Sequence, residues 1–182
     1  MKNYLLGFII CLLSACSAIT VLDTESAPGT DFSHYKTYNF YAVMARGDTL
    51  SSLFEARLGI LKEAISHEME KRGFVQTTTN PGLLVNIGIA VKEKVTTRET
   101  DWRTDGAPRY MGQRNYSWKS ETIETGRYRQ GTARIELVDA AQNKMVWKGV
   151  VQGVVPGEEK NVQAEAQKGM EKLFARFPVA IK

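Results

Sequence analysis

Few side chains in this sequence could act as metal ligands or nucleophiles. The chain has two cysteines, Cys11 and Cys16, and two histidines, His34 and His67. A zinc site needs three or four Cys, His or carboxylate ligands at suitable spacing. The run His67-Glu68-Met69-Glu70 lacks the second histidine that would put two ligands on one helical face. We therefore expect His67 to be a solvated helix residue and His34 a turn residue, and we predict no metal site and no cofactor.

Recognisable catalytic motifs are also missing from the sequence. It contains no G-x-S-x-G nucleophile elbow, no G-x-x-x-x-G-K-[ST] loop and no G-x-G-x-x-G fingerprint. Glu121 and Glu124 would face opposite sides of a strand, which prevents them from converging as an acid–base pair. An enzyme would need carboxylates from separated segments, such as Glu121 with Asp139. We predict no catalytic residue and expect that the chain is not an enzyme.

The thiol of Cys16 stands in the clearest sequence context. Lys2 precedes an apolar run, Leu5–Leu13, and the run leads into Leu13-Ser14-Ala15-Cys16. A run of about nine residues has the length of a signal-peptide core and is far too short to span a bilayer as a helix. Leu-Ser-Ala-Cys resembles the lipobox of bacterial lipoproteins. The resemblance implies removal of residues 1–15, diacylglycerol on the Cys16 sulfur and an acyl group, such as palmitate, on the new amino terminus.

Two alternatives to this interpretation are an ordinary signal peptide with a chance cysteine and an uncleaved apolar N-terminus. If the lipobox is genuine, Cys11 is discarded with the signal peptide and no disulfide can form. Ser17, rather than Asp, follows Cys16. Lipoproteins that resemble this one are usually passed to the outer membrane unless Asp stands there. We therefore predict a lipid-anchored protein of the bacterial cell envelope, at the periplasmic side of the outer membrane, whose acyl chains bind the membrane.

The balance of charges is mildly basic, at +4 for the whole chain. A basic balance can indicate nucleic-acid binding, but the predicted compartment holds no such target, so we expect no nucleic-acid partner. Positive charge could instead favour anionic lipid headgroups, lipopolysaccharide phosphates or peptidoglycan carboxylates. The alternative is a dispersed charge that only keeps the domain soluble.

One segment, Arg98–Arg129, combines aromatic rings with arginines. Flat rings beside guanidinium groups can stack on sugar rings and bind phosphate or carboxylate groups. The candidate ligand-binding residues are Trp102, Arg103, Arg109, Tyr110 and Arg114. The alternative is that aromatics such as Tyr116, Trp118 and Tyr128 pack on the sheet and that the arginines are solvated.

Two stretches have the apolar period of an amphipathic helix. The first begins after Ser52 and ends before Gly73, and its apolar positions are Phe54, Leu58, Leu61, Ile65 and Met69. Gly73 is a natural residue just past a helix end. The second ends at Pro178, and its apolar positions are Val162, Ala166, Met170, Leu173, Phe174 and Phe177.

Alternating apolar residues predict the strands. The predicted strands lie within residues 31–43, at 74–75, at 83–91 with an extension to 98, at 116–123, and in a hairpin of 133–138 with 145–155. Gly149 and Gly153 suggest bulges or strong curvature in the last strand. Residues 99–115 have no apolar period and are predicted to form a long mobile loop.

The order of these elements predicts an α+β fold. A mostly antiparallel sheet with one apolar face needs a cover, and two amphipathic helices packed on that face supply it, which gives a two-layer sandwich. The predicted organisation is a signal peptide at 1–15, a lipidated N-terminus with a flexible tether at 16–30, and a single domain at 31–182.

Three segments resemble a family of bacterial lipoproteins, the domain-of-unknown-function family 4136 (DUF4136). They are the run from Asp31 to Tyr38, the run from Asn80 to Asn86 and the closing run from Leu173 to Pro178. The resemblance supports the lipoprotein interpretation and implies no reaction and no catalytic residues. We therefore expect an interaction or scaffold module for an envelope protein partner. The alternative is a module that binds an envelope glycan or anionic lipid through residues 98–129.

Overall fold

The computed structural model describes residues 19–47, 53–106 and 119–182 of the chain. Within these ranges the strands and helices follow the predicted order, with one additional strand at the start. Their bounds are β1 Thr20–Ser26, β2 Thr37–Gly47, α1 Leu53–Glu70, β3 Val75–Gln76, β4 Leu83–Glu99, β5 Thr122–Asp139, β6 Lys144–Val154 and α2 Glu159–Phe174.

The strands form a six-stranded sheet in the order β1-β6-β5-β4-β2-β3. β1, β6, β5 and β4 pair antiparallel, and β2 pairs parallel with both β4 and β3. A parallel pair needs a crossover connection, and α1 provides the one between β2 and β4. The sheet is therefore mostly antiparallel, as predicted, with a parallel edge.

Both helices pack on one face of the sheet, so the predicted two-layer α+β sandwich is confirmed. The strands contribute to the core at alternating positions, such as Leu83, Val85 and Ile87 of β4, all at most 1 % exposed. The helices contribute residues of the predicted stripes, such as Ile65 and Leu173, both fully buried. Gly73 follows α1 with φ +83°, the left-handed conformation that favours glycine at a helix end.

An aromatic cluster lies at the centre of the core. The ring of Trp147 lies 5.4 Å from that of Phe174 and 5.0 Å from that of Phe177, measured between centroids. A Cβ atom on Gly149 would lie 2.6 Å from the Trp147 ring and 2.8 Å from Leu173. Gly149 therefore makes room for an indole ring. Of the two predicted alternatives, a bulge or strong curvature, the bulge is not found at Gly149 or Gly153, since both pair regularly with β5 and the irregularity in this strand pair lies between Leu137 and Val138.

The predicted tether is shorter in the structure, because Thr20–Ser26 forms strand β1. This strand pairs with β6 from Thr20 opposite Gln152 to Ser26 opposite Trp147, with one irregularity between Val21 and Asp23. Lys148 binds Asp23 and Glu25 at 3.1 and 2.8 Å. An edge strand with one face in solvent has a mostly polar sequence, which gave no apolar period to detect. The folded domain therefore includes residues that were predicted to be flexible.

The predicted strand at 133–138 and the end of the one predicted at 116–123 belong to one continuous strand, β5; residues 116–118 lie outside the described residues. It pairs with β4 from Asp139 opposite Leu83 to Thr122 opposite Glu99. Between the two predicted strands, residues 124–128 are exposed and residues 129–132 are half-buried, so this segment shows no alternation of apolar and polar residues. No helix among the described residues is both long enough and apolar enough to cross a membrane.

Candidate functional site

The most exposed part of the described structure is the distal half of the β4–β5 hairpin. We call this the arm: residues 92–99 of β4 paired with residues 122–130 of β5. All side chains of residues 92–99 are exposed, and most of residues 122–130 are too. At about 3.4 Å per residue, the arm extends roughly 25 Å beyond Val91. Both of its faces are therefore open to a partner.

Beyond the arm, β4 leads into a single π-helical turn, Trp102–Gly106. Arg98 donates two hydrogen bonds to the Asp105 carboxylate, at 2.7 and 2.6 Å. The same carboxylate accepts the backbone N–H of Asp101 and the hydroxyl of Thr104. The Arg98 bond, followed by the Asp101 backbone bond, holds the pKa of Asp105 far below its usual range. These bonds make the turn a defined shape at the tip of the arm.

Two of the five candidate ligand-binding residues lie together on this turn. Trp102 is 57 % exposed, and the Arg103 guanidinium lies 5.4 Å from the centroid of its ring. Arg109, Tyr110 and Arg114 lie outside the described residues, as does the lipidation candidate Cys16. The structure therefore supports an exposed aromatic–arginine pair and leaves the rest of the predicted set untested.

The carboxylates considered for acid–base chemistry do not meet. Glu121 directly precedes β5 and Asp139 is its last residue, so the two lie about 60 Å apart at the rise per residue of a strand. Glu124 is exposed and binds Arg127 at 3.1 Å. Among the described residues, no group of three Cys, His, Asp or Glu side chains could hold a metal ion. His67 is exposed, and His34 ends a short 3₁₀ turn, as the sequence predicted.

Asp139 instead has a structural role, together with the first motif of the family resemblance. Its Oδ2 accepts a hydrogen bond from the Tyr35 hydroxyl at 2.7 Å, and its Oδ1 accepts the backbone N–H groups of Ala141 and Gln142 at 2.8 Å. The bond from Tyr35 and then that from Gln142 lower the pKa of Asp139. Burial, followed by the bond to Asp139, raises the pKa of Tyr35 to about 12.

The remaining residues of that motif are also used by the fold. Asp31 accepts the backbone N–H of Ser33 and caps the 3₁₀ turn. Phe32 packs edge-on against Phe177 at 5.2 Å, and Tyr38 is fully buried. A cleft of about 640 Å³ lies beside Tyr35 and Asp139, but the carboxylate oxygens facing it are already bonded. The most specific motif of the sequence therefore stabilises the turn between β5 and β6.

An apolar cavity that no sequence pattern predicted lies between the helices and the sheet. It has a volume of about 190 Å³ and is lined from α1, α2, β4, β5 and β6. Gly169, on the inner side of α2, was the one signal: a glycine in the middle of a predicted apolar helix face leaves space opposite the sheet.

Comparisons with known proteins give one family and a common fold. A family model described as "Domain of unknown function (DUF4136)" matches residues 22–179. A DUF4136 family protein from Bacteroides thetaiotaomicron superposes with a TM-score of 0.52 at 14 % identity, covering 90 % of this chain and 97 % of that one. No curated protein matches the sequence.

A second solved structure is larger than this chain. A PDZ domain protein from Parabacteroides distasonis superposes with a TM-score of 0.53 at 13 % identity. The superposition covers 91 % of this chain but only 36 % of that protein, so the chain spans about a third of its length. At these identities the similarity concerns the fold alone.

Proposed function

We propose that this chain, which belongs to the DUF4136 family of proteins of unknown function, is a lipid-anchored, non-enzymatic interaction module of the bacterial envelope. In this proposal the acyl chains on Cys16 hold the domain at the periplasmic face of the outer membrane, and the arm binds an envelope protein. The observation that carries the proposal is the exposure of the arm on both faces.

A two-stranded arm that is exposed on both faces has few contacts to stabilise it. A two-stranded ribbon is marginally stable in water and needs a third strand or an apolar cover. Val95 and Tyr128 are apolar side chains of the arm that are 44 % and 39 % exposed. Ion pairs such as Arg127 with Glu93, at 3.4 Å, contribute little in solvent. Lys94 lies opposite Tyr128, so Val95, the next residue, and Tyr128 are on opposite faces of the arm. A protein partner that covers either face would bury one of these two side chains.

The start of the fold supports the membrane position. The described chain begins at Ile19, and β1 begins at the next residue. Two residues, Ser17 and Ala18, separate Cys16 from Ile19, and three extended residues reach about 10 Å. A lipid on Cys16 would therefore hold the sheet close to the bilayer surface, much closer than a tether of residues 16–30 would allow.

Three carboxylates of the described domain have structural roles, which supports a non-enzymatic function. Asp105 and Asp139 have lowered pKa values because they accept hydrogen bonds that shape turns. Glu68 is fully buried and binds Lys71 and Arg72 at 2.8 Å. Each of these three groups has partners within the fold that account for its position.

Site-specific photocrosslinking in intact cells tests the arm as the contact surface. A photoreactive amino acid replaces Tyr128 on the arm or, as the matched control, Tyr41 on β2, an exposed strand tyrosine of the sheet. We expect a discrete crosslinked protein from position 128 that is absent from position 41. The same diffuse pattern of abundant envelope proteins at both positions would contradict the proposal.

A shortened variant gives an independent test. Glu93 lies opposite Arg129 in the β4–β5 pair, so residues 94–128 can be replaced by a two-residue Asn-Gly hairpin turn. The thermal unfolding midpoint should change little, because the described residues among those removed, 94–106 and 119–128, lie outside the core. Recovery of the same partner with the shortened variant would exclude the arm as the binding surface.

The exposed pair of Trp102 and Arg103 favours a second candidate function, binding of an envelope glycan or anionic lipid at the tip of the arm. An exposed indole stacks on sugar rings, and a guanidinium binds phosphate or carboxylate groups. Replacement of both residues by Ala should abolish retention on purified peptidoglycan or lipopolysaccharide, while Arg127→Ala, further along the arm, retains it. Unchanged retention of the double variant, with an unchanged circular dichroism spectrum, would exclude this function.

A further inference from the structure

The apolar cavity between the helices and the sheet has no role in the proposal above. Its walls come from both layers and include Leu58 and Leu61 of α1, Val162 and Met170 of α2, and Ile89 and Val151 of the sheet. Its volume of about 190 Å³ exceeds that of a cavity of about 150 Å³ that binds benzene. It is smaller than the roughly 300–1,000 Å³ of pockets for drug-sized ligands. A single alkyl chain suits this size better than a fused-ring ligand.

The space is unusual for this core. Gly169 is buried, yet a Cβ atom placed on it would meet no other atom within 4 Å. At Gly149, in the same layer of the protein, the same atom would lie 2.6 Å from the Trp147 ring. Protein interiors are packed to nearly crystalline density, and unfilled apolar space lowers stability. The space beside Gly169 is partly open to solvent, so an apolar occupant would remove its walls from water.

The charges on the cavity lining are predominantly positive. Arg57 of α1 and Arg129 of β5 both line it, together with one acidic residue, Glu165 of α2. Glu165 is ion-paired with Lys168 at 3.5 Å. Arg129 has an interaction of its own, so Arg57 is the arginine of the lining that a negatively charged group would contact.

Arg57 also has an unused hydrogen-bond donor. Its Nη2 reaches the Pro156 carbonyl oxygen at 3.4 Å, a long bond. Its Nε is buried and has no hydrogen-bond partner among residues 19–47, 53–106 and 119–182. Most buried polar groups in proteins have a partner, and an exception calls for a specific explanation. An anionic oxygen of a bound ligand would accept the hydrogen bond that Arg57 Nε lacks.

We propose that this cavity binds one acyl chain of an amphiphile whose anionic group is held by Arg57. The apolar walls and the open space at Gly169 would hold the acyl chain, and Arg57 would hold the anionic headgroup. A carboxylate or a phosphate would satisfy the same donor, so a free fatty acid and a lysophospholipid are both candidate sources. Binding at this site does not depend on whether Cys16 carries a lipid or on what the arm binds.

Displacement of a fluorescent alkyl probe tests the proposal directly. The protein is the chain from residue 16 onward with Cys16→Ser, so that no attached lipid competes. Saturated carboxylates of increasing length should displace the probe, with Kd falling about fourfold for each added methylene until the cavity is full. Lysophosphatidylglycerol, measured in parallel, identifies the preferred headgroup. No displacement by any carboxylate or by the lysophospholipid would overturn the proposal.

Two glycine variants locate the binding in the cavity. Gly169→Leu fills the open space and should weaken dodecanoate binding at least tenfold. It replaces a helical glycine, so its intrinsic helix propensity improves. Gly59→Leu is the matched control, because Gly59 also lies in a helix with no atom within 4 Å of an added Cβ but does not line the cavity. Equal affinities of the two variants would place binding elsewhere and overturn the proposal.

The headgroup contact is tested with Arg57→Met. A hydrogen bond to a charged group contributes enough for a loss of about tenfold or more in dodecanoate affinity. Dodecanol, which has no negative charge, should bind the variant and the wild type equally. Arg176→Met, on an exposed arginine beyond α2, should change neither affinity. Equal losses for dodecanoate and dodecanol would exclude Arg57 as the anion-binding group.

Discussion

Substitution of Arg72 is expected to be among the most destabilising single changes in this domain. Its side chain is 5 % exposed. Nη1 donates to the Glu68 carboxylate and to the Glu68 carbonyl oxygen, at 2.8 and 2.7 Å. Nη2 donates to the Phe174 carbonyl oxygen at 2.8 Å, and Nε donates to that of Val179 at 3.1 Å. One guanidinium therefore joins the end of α1 to the end of α2 and to the C-terminal segment.

The expected cost follows from the groups that lose a partner. In Arg72→Met the buried Glu68 carboxylate keeps only Lys71. The Val179 carbonyl oxygen loses the Arg72 donor, and the Phe174 carbonyl oxygen keeps only the backbone N–H of Phe177, at 3.0 Å. Breaking a buried ion pair by removing one partner costs about 3–5 kcal/mol. We expect a loss of about 4 kcal/mol in the free energy of unfolding, measured by urea denaturation. In Arg72→Met/Glu68→Met the buried charge is removed as well. The double variant should therefore lose about 2 kcal/mol less in the free energy of unfolding than the sum of the two single losses.

The exposed Arg176 supplies the control for this experiment. Arg176→Met should change the free energy of unfolding by less than about 0.5 kcal/mol, as is usual for surface positions. If Arg72→Met is no more destabilising than Arg176→Met, the hydrogen bonds of Arg72 do not hold the two helix ends together. If the double variant shows strict additivity, the Arg72–Glu68 pair does not act as a unit.

Three further predictions concern stability. Burial alone would raise the pKa of Glu68, but Lys71 and Arg72 outweigh it and lower that pKa. The lowered pKa stabilises the folded state above about pH 4.3, and this stabilisation is lost on acidification. Glu68→Gln should therefore flatten the acid limb of the stability curve. Gly149→Ala should cost about 2 kcal/mol through its clash with Trp147, whereas Gly88→Ala, whose nearest contact is an ordinary 3.5 Å, costs much less; equal losses would contradict the packing argument. Tyr35→Phe should cost about 1.5 kcal/mol, and because the pKa of Tyr35 is raised to about 12, wild type should lose this contribution as pH rises from about 10 through 12, whereas a Tyr35→Phe loss that persists unchanged above pH 12 would contradict the assignment.

The elements that face the core could be predicted from the sequence. The stripe of α1 and the alternation of β4 both place their apolar residues on the buried face, as Ile65 and Val85 illustrate. Gly73 could be identified as a helix end because its left-handed backbone is one that glycine adopts readily. These features depend on local periodicity or on one residue type, and both can be read from the chain itself.

Features without an apolar period could not be predicted. β1 is a polar edge strand, and the arm is exposed on both faces, so neither alternates. The role of Tyr35 depends on Asp139, 104 residues away, and a contact of that range leaves no local pattern. The cavity arises from packing α2 against the sheet at Gly169, and only the assembled layers define it.

The anchored position of the domain is tested most directly by the intact mass of the mature protein extracted from membranes. We predict a mature chain that begins at Cys16 and carries diacylglycerol and acyl groups. It should incorporate a palmitate analogue, and the Cys16→Ser variant should lose this label. A mature wild-type protein with an unmodified Cys16 thiol, or one that retains residues 1–15, would contradict it.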